Sequence, residues 1–301
     1  MITLVATWIN HPEVLKAHRD LWTAAFIGET VRYVAYIDAK DFGDFSNFGD
    51  SSIKDQLIQV CNDNSIEYVV VPQEYHRRRS KVFTNCQLES DQNPSGRDAL
   101  VCQYAWNIEV LEKGAQNFAL VQSDIFPYRK FTWSSITRST DFYYKPQVRI
   151  DNGKKLTYAW EGLCLFNMAS WSNEIKRLVD FQHGTFKGVY TDTGGGLYKI
   201  LEVLPDYRKF GWGGQDSLQW SSDTMTSDVP YWIRQHLDTD PRNQTRNGVI
   251  TYFSELQDDR CFHLRAGGNW DNVGKQIHDE RYSRFVSLLN EAINDRTVFL
   301  D

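Results

Sequence analysis

The sequence has no basic leader and no long apolar run. Its first ten residues, MITLVATWIN, carry no lysine or arginine. Nowhere do apolar residues approach the roughly 18 in a row that a membrane-spanning helix needs. Cysteine is scarce: five residues (Cys61, Cys86, Cys102, Cys164 and Cys261), odd in number and without a C-x-x-C pair. That excludes a disulfide scaffold and a cysteine-based zinc site, and predicts buried, reduced thiols in a cytoplasmic setting. Basic residues are outnumbered, 33 against 39 acidic, for a net charge of −6. A nucleic-acid binder needs a basic face to displace counterions, so that class is excluded as a partner. The patterns GxxxxGK[ST], GxGxxG after the first strand, GxSxG and HExxH are all missing. P-loop phosphoryl transfer, Rossmann dehydrogenases and the common serine-hydrolase elbow go with them. There is no internal repeat, low-complexity tract or evident linker, which predicts one compact domain.

What is present is a chain of 301 residues, 41% hydrophobic and 14% aromatic, with ten tryptophans. By size scaling about three quarters of the unfolded surface is buried on folding, so a large core is available. Tryptophan offers a flat apolar face and one N–H donor, which suits both a core and a sugar-binding cleft. The run ITLVATWI (Ile2 to Ile9) is continuously apolar and β-branched, the pattern of a strand buried on both faces. A helix from Pro12 to Phe26, strands at Val31 to Asp38 and Ile66 to Val71, and a helix over Ile53 to Cys61 follow.

Ser95 to Lys113 reads as a helix with a capping box, Ser95-Gly-Arg-Asp98, and an apolar stripe of Leu100, Tyr104, Ile108 and Leu111. Asn117 to Val121 is a further strand. Strand and helix therefore alternate up to Ile125, which predicts an α/β fold with a mainly parallel sheet between helices. Later strands are expected at Asp141 to Ile150 and Leu156 to Met168. A helix after Ser172 should bury Ile175, Leu178 and Val179, and another runs from Gly195 to Leu204. Arg208 to Gln257 reads as loop-rich. A last helix, Asp279 to Asn294, should bury Tyr282, Phe285, Leu289 and Ile293.

In sheets of this kind ligands bind outside the carboxyl ends of the strands. Thr7, Asn10, Asp38, Gln73 and Gln122-Ser123-Asp124 fall there. Asp124 follows the buried strand in FALVQSDIFP, where a carboxylate could hold Mn2+ or Mg2+ against a diphosphate, or simply form the turn before Pro127.

The layout from Ile2 to about Leu204 resembles the GT-A fold of nucleotide-diphospho-sugar glycosyltransferases. The resemblance implies a GT-A-like unit with a nucleotide-binding half (1–130) and an acceptor-side half (131–301). It implies transfer of a sugar from a UDP- or GDP-sugar to a hydroxyl of a glycan or glycoconjugate. Thr7 and Asp38 match positions near the nucleotide. Ser95-Gly-Arg97-Asp98 matches the helix start that faces the nucleotide or diphosphate. Gln122-Ser-Asp124 falls where the family carries Asp-x-Asp, with Gln122 in the first place, so only the second acid of a metal-binding pair is kept. Cys261-Phe-His263-Leu-Arg265 through Gly267-Gly268 and Trp270 looks like the element that gives the metal or diphosphate a late histidine. Asp124 and His263 are then the expected metal ligands, and Arg265 a phosphate partner.

Three carboxylates compete for the role of base. Asp192, in Tyr190-Thr-Asp-Thr-Gly-Gly-Gly, stands where the family places its acid, though aspartate there is also a good N-cap. Asp216 lies in Phe210-Gly-Trp212-Gly-Gly-Gln-Asp216, similar to the Trp-Gly-Gly-Glu-Asp element of β-1,4-galactosyltransferases. Glu161 follows Trp160 in a segment expected on the acceptor side. Trp160, Trp212 and Trp270 are expected to line one cleft. The basic run His76-Arg-Arg-Arg-Ser-Lys81 is either a solvated loop or a source of diphosphate charge. Two other readings stand beside the transferase: a non-catalytic sugar- or nucleotide-binding protein with a decayed site, and a glycoside hydrolase using paired carboxylates.

Overall fold

The computed structural model describes residues 1–38, 52–72, 75, 94–212, 221–223, 228–265 and 275–300. The run ITLVATW forms β1 (Ile2–Trp8), buried along its whole length. A strand with no polar face must lie inside a sheet covered on both sides. It sits between β2 (Val31–Ile37) and β4 (Asn117–Gln122), parallel to both, and β3 (Glu67–Val70) extends the parallel set beyond β2. On the other side, β7 (Lys154–Asn167) runs antiparallel to β4, followed by β6 (Phe142–Asp151) and β10 (Lys209–Gly211). The result is a seven-stranded, mainly parallel sheet of order β10-β6-β7-β4-β1-β2-β3. This is the α/β architecture expected from the alternation.

Alternate residues of β1 feed two cores. Ile2, Leu4, Ala6 and Trp8 pack with Leu15 and Trp22 of α1 (Pro12–Ala25). The same cluster holds Leu57 of α2 (Ser52–Asp63). On the opposite face Val5, Phe118 and Leu120 pack with Trp106 of α3 (Pro94–Trp106) and with Phe166.

A second, three-stranded sheet positions the site. After β4 the chain turns into β5 (Ile125–Pro127), which pairs with β14 (Cys261–His263), itself paired with β13 (Glu255–Gln257). The register sets His263 opposite both Ile125 and Glu255. Cys61, Cys102, Cys164 and Cys261 are buried free thiols, as their spacing implied. No helix among the described residues is long and apolar enough to cross a membrane.

Several local expectations need correction. Residues 208–257 are not all loop: Tyr231–Thr239 is a helix, α4, that buries Trp232, Ile233, His236 and Leu237. In the last helix, α5 (Lys275–Asp295), Ile293 is 36% exposed and Ala292 is buried in its place. Leu178 is exposed beyond a helix of only five residues, Asn173–Arg177. The helix expected to Lys113 changes type: α3 gives way to a π-helix over Asn107–Glu112. A π turn is wider than an α turn, so the phase of the buried face slips. Glu109 and Val110 point inward and Leu111, placed in the predicted stripe, is 40% exposed.

The slip serves Glu109, whose carboxylate accepts from Arg32 Nη1 at 2.6 Å, Tyr36 Oη at 2.8 Å and Lys113 Nζ at 2.9 Å. Burial alone would raise this carboxyl, but the three donors outweigh it and hold its pKa below the ordinary value. The stability it contributes is therefore full above the unfolded value of about 4.3 and lost as pH falls through the native one. Glu109→Gln should cost about 1–3 kcal/mol at pH 7. The gap between wild type and variant in urea midpoints should narrow as pH is lowered to 3. A gap that does not change with pH would remove the ionised carboxylate from this account.

Candidate functional site

The first turn of α3 reaches two strand ends at once. Successive helical residues point about 100° apart, so Arg97 and Asp98 face different strands. Arg97 Nη2 donates to Asp38 Oδ2 at 2.5 Å just past β2, and both side chains are buried. Asp98 turns instead toward β4 and β7. Gln122 Nε2 donates to Asp98 Oδ2 at 3.1 Å and to Glu161 Oε1 at 3.0 Å. The two carboxyls are thus joined through one amide nitrogen. Buried side by side, two carboxylates resist double ionisation, which favours a proton on the pair. Burial, with the negative charges of Asp124 and Asp192 nearby, pushes Asp98 up to about 6. Burial, and then the charges of Asp98 and Asp192, push Glu161 well above the carboxylate range.

Gly194 lets the backbone close over this pair. Its φ is +83°, and a Cβ there would stand 2.5 Å from the Ala159 carbonyl and 3.1 Å from Glu161 Oε2. Two residues earlier, Asp192 sits at the mouth with its side chain 46% exposed. Its backbone N–H donates to Tyr158 Oη at 3.2 Å, and its Oδ1 accepts from the Thr193 N–H at 2.9 Å. Arg149 lies 3.8 Å from its other oxygen.

The second centre is built where β5 meets β14. His263 Nε2 faces Asp124 Oδ2 at 3.6 Å, and Nδ1 faces Glu255 Oε2 at 3.3 Å. Lys145 Nζ and Gln257 Nε2 both donate to that Glu255 oxygen, at 2.9 and 2.5 Å. Burial would lower the His263 pKa, but the flanking Asp124 and Glu255 raise it on balance. The Trp160 ring stands 5.0 Å from the imidazole, and Lys145 Nζ lies over that ring at 5.2 Å. Gly162 makes room for it: a Cβ there would be 2.2 Å from the indole. Lys145 also reaches the Trp212 ring at 6.0 Å, but Trp212 is 1% exposed and stacks on Tyr143.

Among the described residues no three His, Cys, Asp or Glu groups form a set that could hold a metal ion. Asp124 and His263 nonetheless fit one in kind. A hard cation takes one or two protein ligands and completes its shell with phosphate oxygens, and a ligating histidine is usually steadied by a carboxylate on its other nitrogen. Glu255 occupies that position.

The fold thus brings Thr7, Asp124, Glu161, Asp192, Trp160 and His263 to the carboxyl edge of the sheet. Thr7 on β1 is in register with Gln122. Asp38 and Arg97 pair off at the next strand, and Arg265 leaves β14 in a turn, its N–H donating to the His263 carbonyl at 2.8 Å. Asp216, Trp270, Gln73, Ser95's side chain and the run His76 to Lys81 lie outside the described residues. Two residues of the site were not singled out from the sequence. Asp98 was, but as a cap residue within the helix start expected to face a nucleotide, not as the partner of Glu161. Lys145 and Glu255 carry no local signal, because they meet across 110 positions of chain.

No family model matches the chain, and no curated protein does. Solved structures do. A galactosyltransferase, LgtC, in complex with donor and acceptor sugar analogs aligns over 96% of each chain at 11% identity and a TM-score of 0.45. The mannosyltransferase Ktr4p from S. cerevisiae aligns over 58% of this chain and 59% of its own, at 7% identity and TM-score 0.33. Core-mannan synthase A from Aspergillus fumigatus, in a Mn/GDP form, aligns over 65% of each at 10% identity and TM-score 0.34. With every one of these TM-scores below 0.5, the fold rests on this chain's own sheet order.

The protonated pair has a measurable consequence. A carboxyl whose native pKa is raised stabilises the fold fully only below its unfolded value, and the benefit fades as pH rises toward the native value. Glu161→Gln keeps the neutral shape and removes that loss. The variant should therefore gain on wild type in urea midpoint as pH rises from 4 to 9. A difference that stays flat across this range would mean the pair holds no extra proton.

Proposed function

We propose that the chain is a glycosyltransferase that moves a sugar from a UDP- or GDP-sugar to a hydroxyl of a glycan or glycoconjugate acceptor. One observation carries this reading. A carboxylate–histidine centre (Asp124, His263), an open carboxylate (Asp192), an acid pair with raised pKa values (Asp98, Glu161) and a half-buried tryptophan (Trp160) gather at the carboxyl edge of a mainly parallel sheet. The whole would work as one GT-A-like unit, with 1–130 on the nucleotide side and 131–301 on the acceptor side.

In this reading Asp38 and Arg97 lie toward the nucleotide, Arg265 meets the diphosphate, and Trp160 stacks against a sugar. A Mn2+ or Mg2+ ion held by Asp124 and His263 would supply positive charge for the departing diphosphate. Asp192 is the base we favour among the three carboxylates, because of the two the structure describes it is the exposed one, Glu161 being buried. It takes the acceptor hydroxyl proton as that oxygen bonds to the anomeric carbon. The bond from that carbon to the diphosphate oxygen breaks, and its electrons leave with the nucleoside diphosphate. The proton held on Glu161 spares an anionic donor one of the two negative charges this pair would otherwise carry.

Two observations bear on the alternatives. Gln122 spends its donors on the acid pair, which favours a binding protein without turnover more than an intact Asp-x-Asp would. A retaining hydrolase needs its carboxyls about 5–5.5 Å apart with a sugar between them. Asp98 and Glu161 are bridged by the Gln122 amide, which occupies the space a sugar would need between them.

Thermal shift with UDP- and GDP-sugars, with and without Mn2+, followed by assay of free nucleoside diphosphate, separates these readings. Stabilisation with product release is expected, stabilisation without turnover on any acceptor would favour the binding role, and no response to any nucleotide would sink both. Asp124→Ala should abolish the Mn2+-dependent part of the shift, and an unchanged shift would take Asp124 out of the site. Asp192→Asn should lower kcat by about 10²–10⁴ with donor binding retained, the scale of a lost general base. An equal loss in Glu161→Gln and none in Asp192→Asn would reassign the base.

A further inference from the structure

Two histidines from opposite ends of the chain face each other where α1 meets α5. His11 Nε2 and His278 Nε2 stand 3.4 Å apart, with ring centres 5.5 Å apart. That nitrogen separation exceeds the roughly 2.7–3.2 Å of ordinary N–H hydrogen bonds. It matches a shared metal ion instead. Two Zn–N bonds of about 2.0–2.1 Å at the tetrahedral angle hold their nitrogens about 3.3–3.4 Å apart.

The surroundings prepare His11 for that role. Its Nδ1 lies 3.1 Å from Glu13 Oε1. An ionised carboxylate can only accept, so the proton of a neutral His11 sits on Nδ1 and Nε2 is left bare. A carboxylate on the far nitrogen is the usual support of a ligating histidine. The His11 ring is held face to face on Tyr282, with centres 3.4 Å and planes 16° apart. Its backbone is left-handed, at φ +59°, and its side chain makes no capping bond to α1. Serine, threonine, aspartate or asparagine would serve the helix start better, so the helix does not explain a histidine here.

His278 completes the pair. It is 2% exposed, and its Nδ1 has no hydrogen-bond partner among the described residues, so no bond there pins its proton. Burial, then the charges of His11 and Arg281, lower it to about 4, so at pH 7 it offers a neutral imidazole. A dication here meets charges of both signs. Glu13 and Asp279 are acidic, Arg242 and Arg281 are basic, and Arg281 is already bonded to Asp240 at 2.7 Å. Imidazole donors suit zinc, copper and nickel, whereas magnesium and manganese prefer oxygen. The nitrogen separation selects zinc, because adjacent ligands of square-planar copper or nickel stand closer together.

We infer that His11 and His278, with Glu13 behind His11, form a Zn2+ site that ties the start of α1 to α5. Among the described residues no third His, Cys, Asp or Glu joins them, so water or donor atoms of a ligand fill the rest of the shell. The site shares no residue with the Asp124–His263 centre and rests on no part of the sugar-transfer reading.

The test is Zn2+ binding to the full chain carrying Asp124→Ala, so that the other centre contributes nothing, measured by calorimetry. One equivalent should bind, and Zn2+ should raise the unfolding temperature. His11→Asn removes the imidazole and keeps a residue that tolerates the left-handed backbone. It should abolish both the heat of binding and the Zn2+-dependent rise, as should His278→Gln. Glu13→Gln should weaken binding about tenfold, the scale of a lost outer partner. An unchanged near-UV circular dichroism spectrum shows that a variant is folded. His278 is buried, so if its variant unfolds, His11→Asn carries the test. No Zn2+ binding in the Asp124→Ala chain, undiminished binding in folded His11→Asn, or displacement of Zn2+ by an equal concentration of Mg2+ overturns the site.

Discussion

The amide of Gln122 holds the site together. It is the last residue of β4, and its two N–H donors tie α3, through Asp98, to β7, through Glu161. Both acceptors are carboxyls, so the group between them has to donate twice and carry no negative charge. Glutamine meets that condition, and aspartate in its place would set a third acid against two that already share a proton. Glutamine at this position therefore has a local physical cause. It also divides the work of the edge: the protonated pair lies on one side of Gln122, and Asp124, two residues on, faces His263.

The π-helix has its reason at the same scale. The start of α3 serves two strand ends, through Arg97 to Asp38 and through Asp98 to Gln122 and Glu161. The far end must be pinned, or the first turn would swing relative to both. Glu109 supplies the pin, bound by Arg32 and Tyr36 of β2 and by Lys113. An unbroken α-helix with the predicted stripe would have turned Leu111 inward, whereas the wider turn brings Glu109 and Val110 to the buried face. Stability in the helix and geometry at the site are thus one constraint.

Which parts of this were legible in the sequence follows from where each interaction lies along the chain. The β1 run could be read because burial on both faces leaves no polar residue to mask the pattern. Asp124 and His263 could be read because each sits in a strand-end context of its own. The helix Tyr231–Thr239 was missed although Trp232, Ile233, His236 and Leu237 have helical spacing, because its flanks are rich in turn formers. Asp98 was read as a cap in a nucleotide-facing helix start, and its pairing with Glu161 was hidden because capping and acid pairing ask for the same residue there. Lys145 and Glu255 were invisible for a different reason. Their meaning arises only when strands and helices distant in sequence are brought side by side, and no local pattern records that.

The tryptophan surplus resolves by asking where each indole N–H goes. Trp8 donates to Tyr33 Oη, Trp22 to the Ile125 carbonyl, Trp106 to the Lys176 carbonyl and Trp232 to the Val298 carbonyl. All four are buried, each bonding an apolar body to a fixed acceptor, which is how a core uses this residue. Trp212 is equally buried, packed by Tyr143 and Lys145, so its ring face is already taken. Trp160 differs. It is half-buried, rests on the bare backbone of Gly162, and shares Lys145 with the Glu255 that steadies His263. A ring held by a glycine below and a cation at its face is already oriented, so the sugar stacking proposed for it would cost little further entropy. The compositional excess therefore builds mostly the scaffold, and the case for sugar handling narrows, among the described tryptophans, to this one ring and its neighbours.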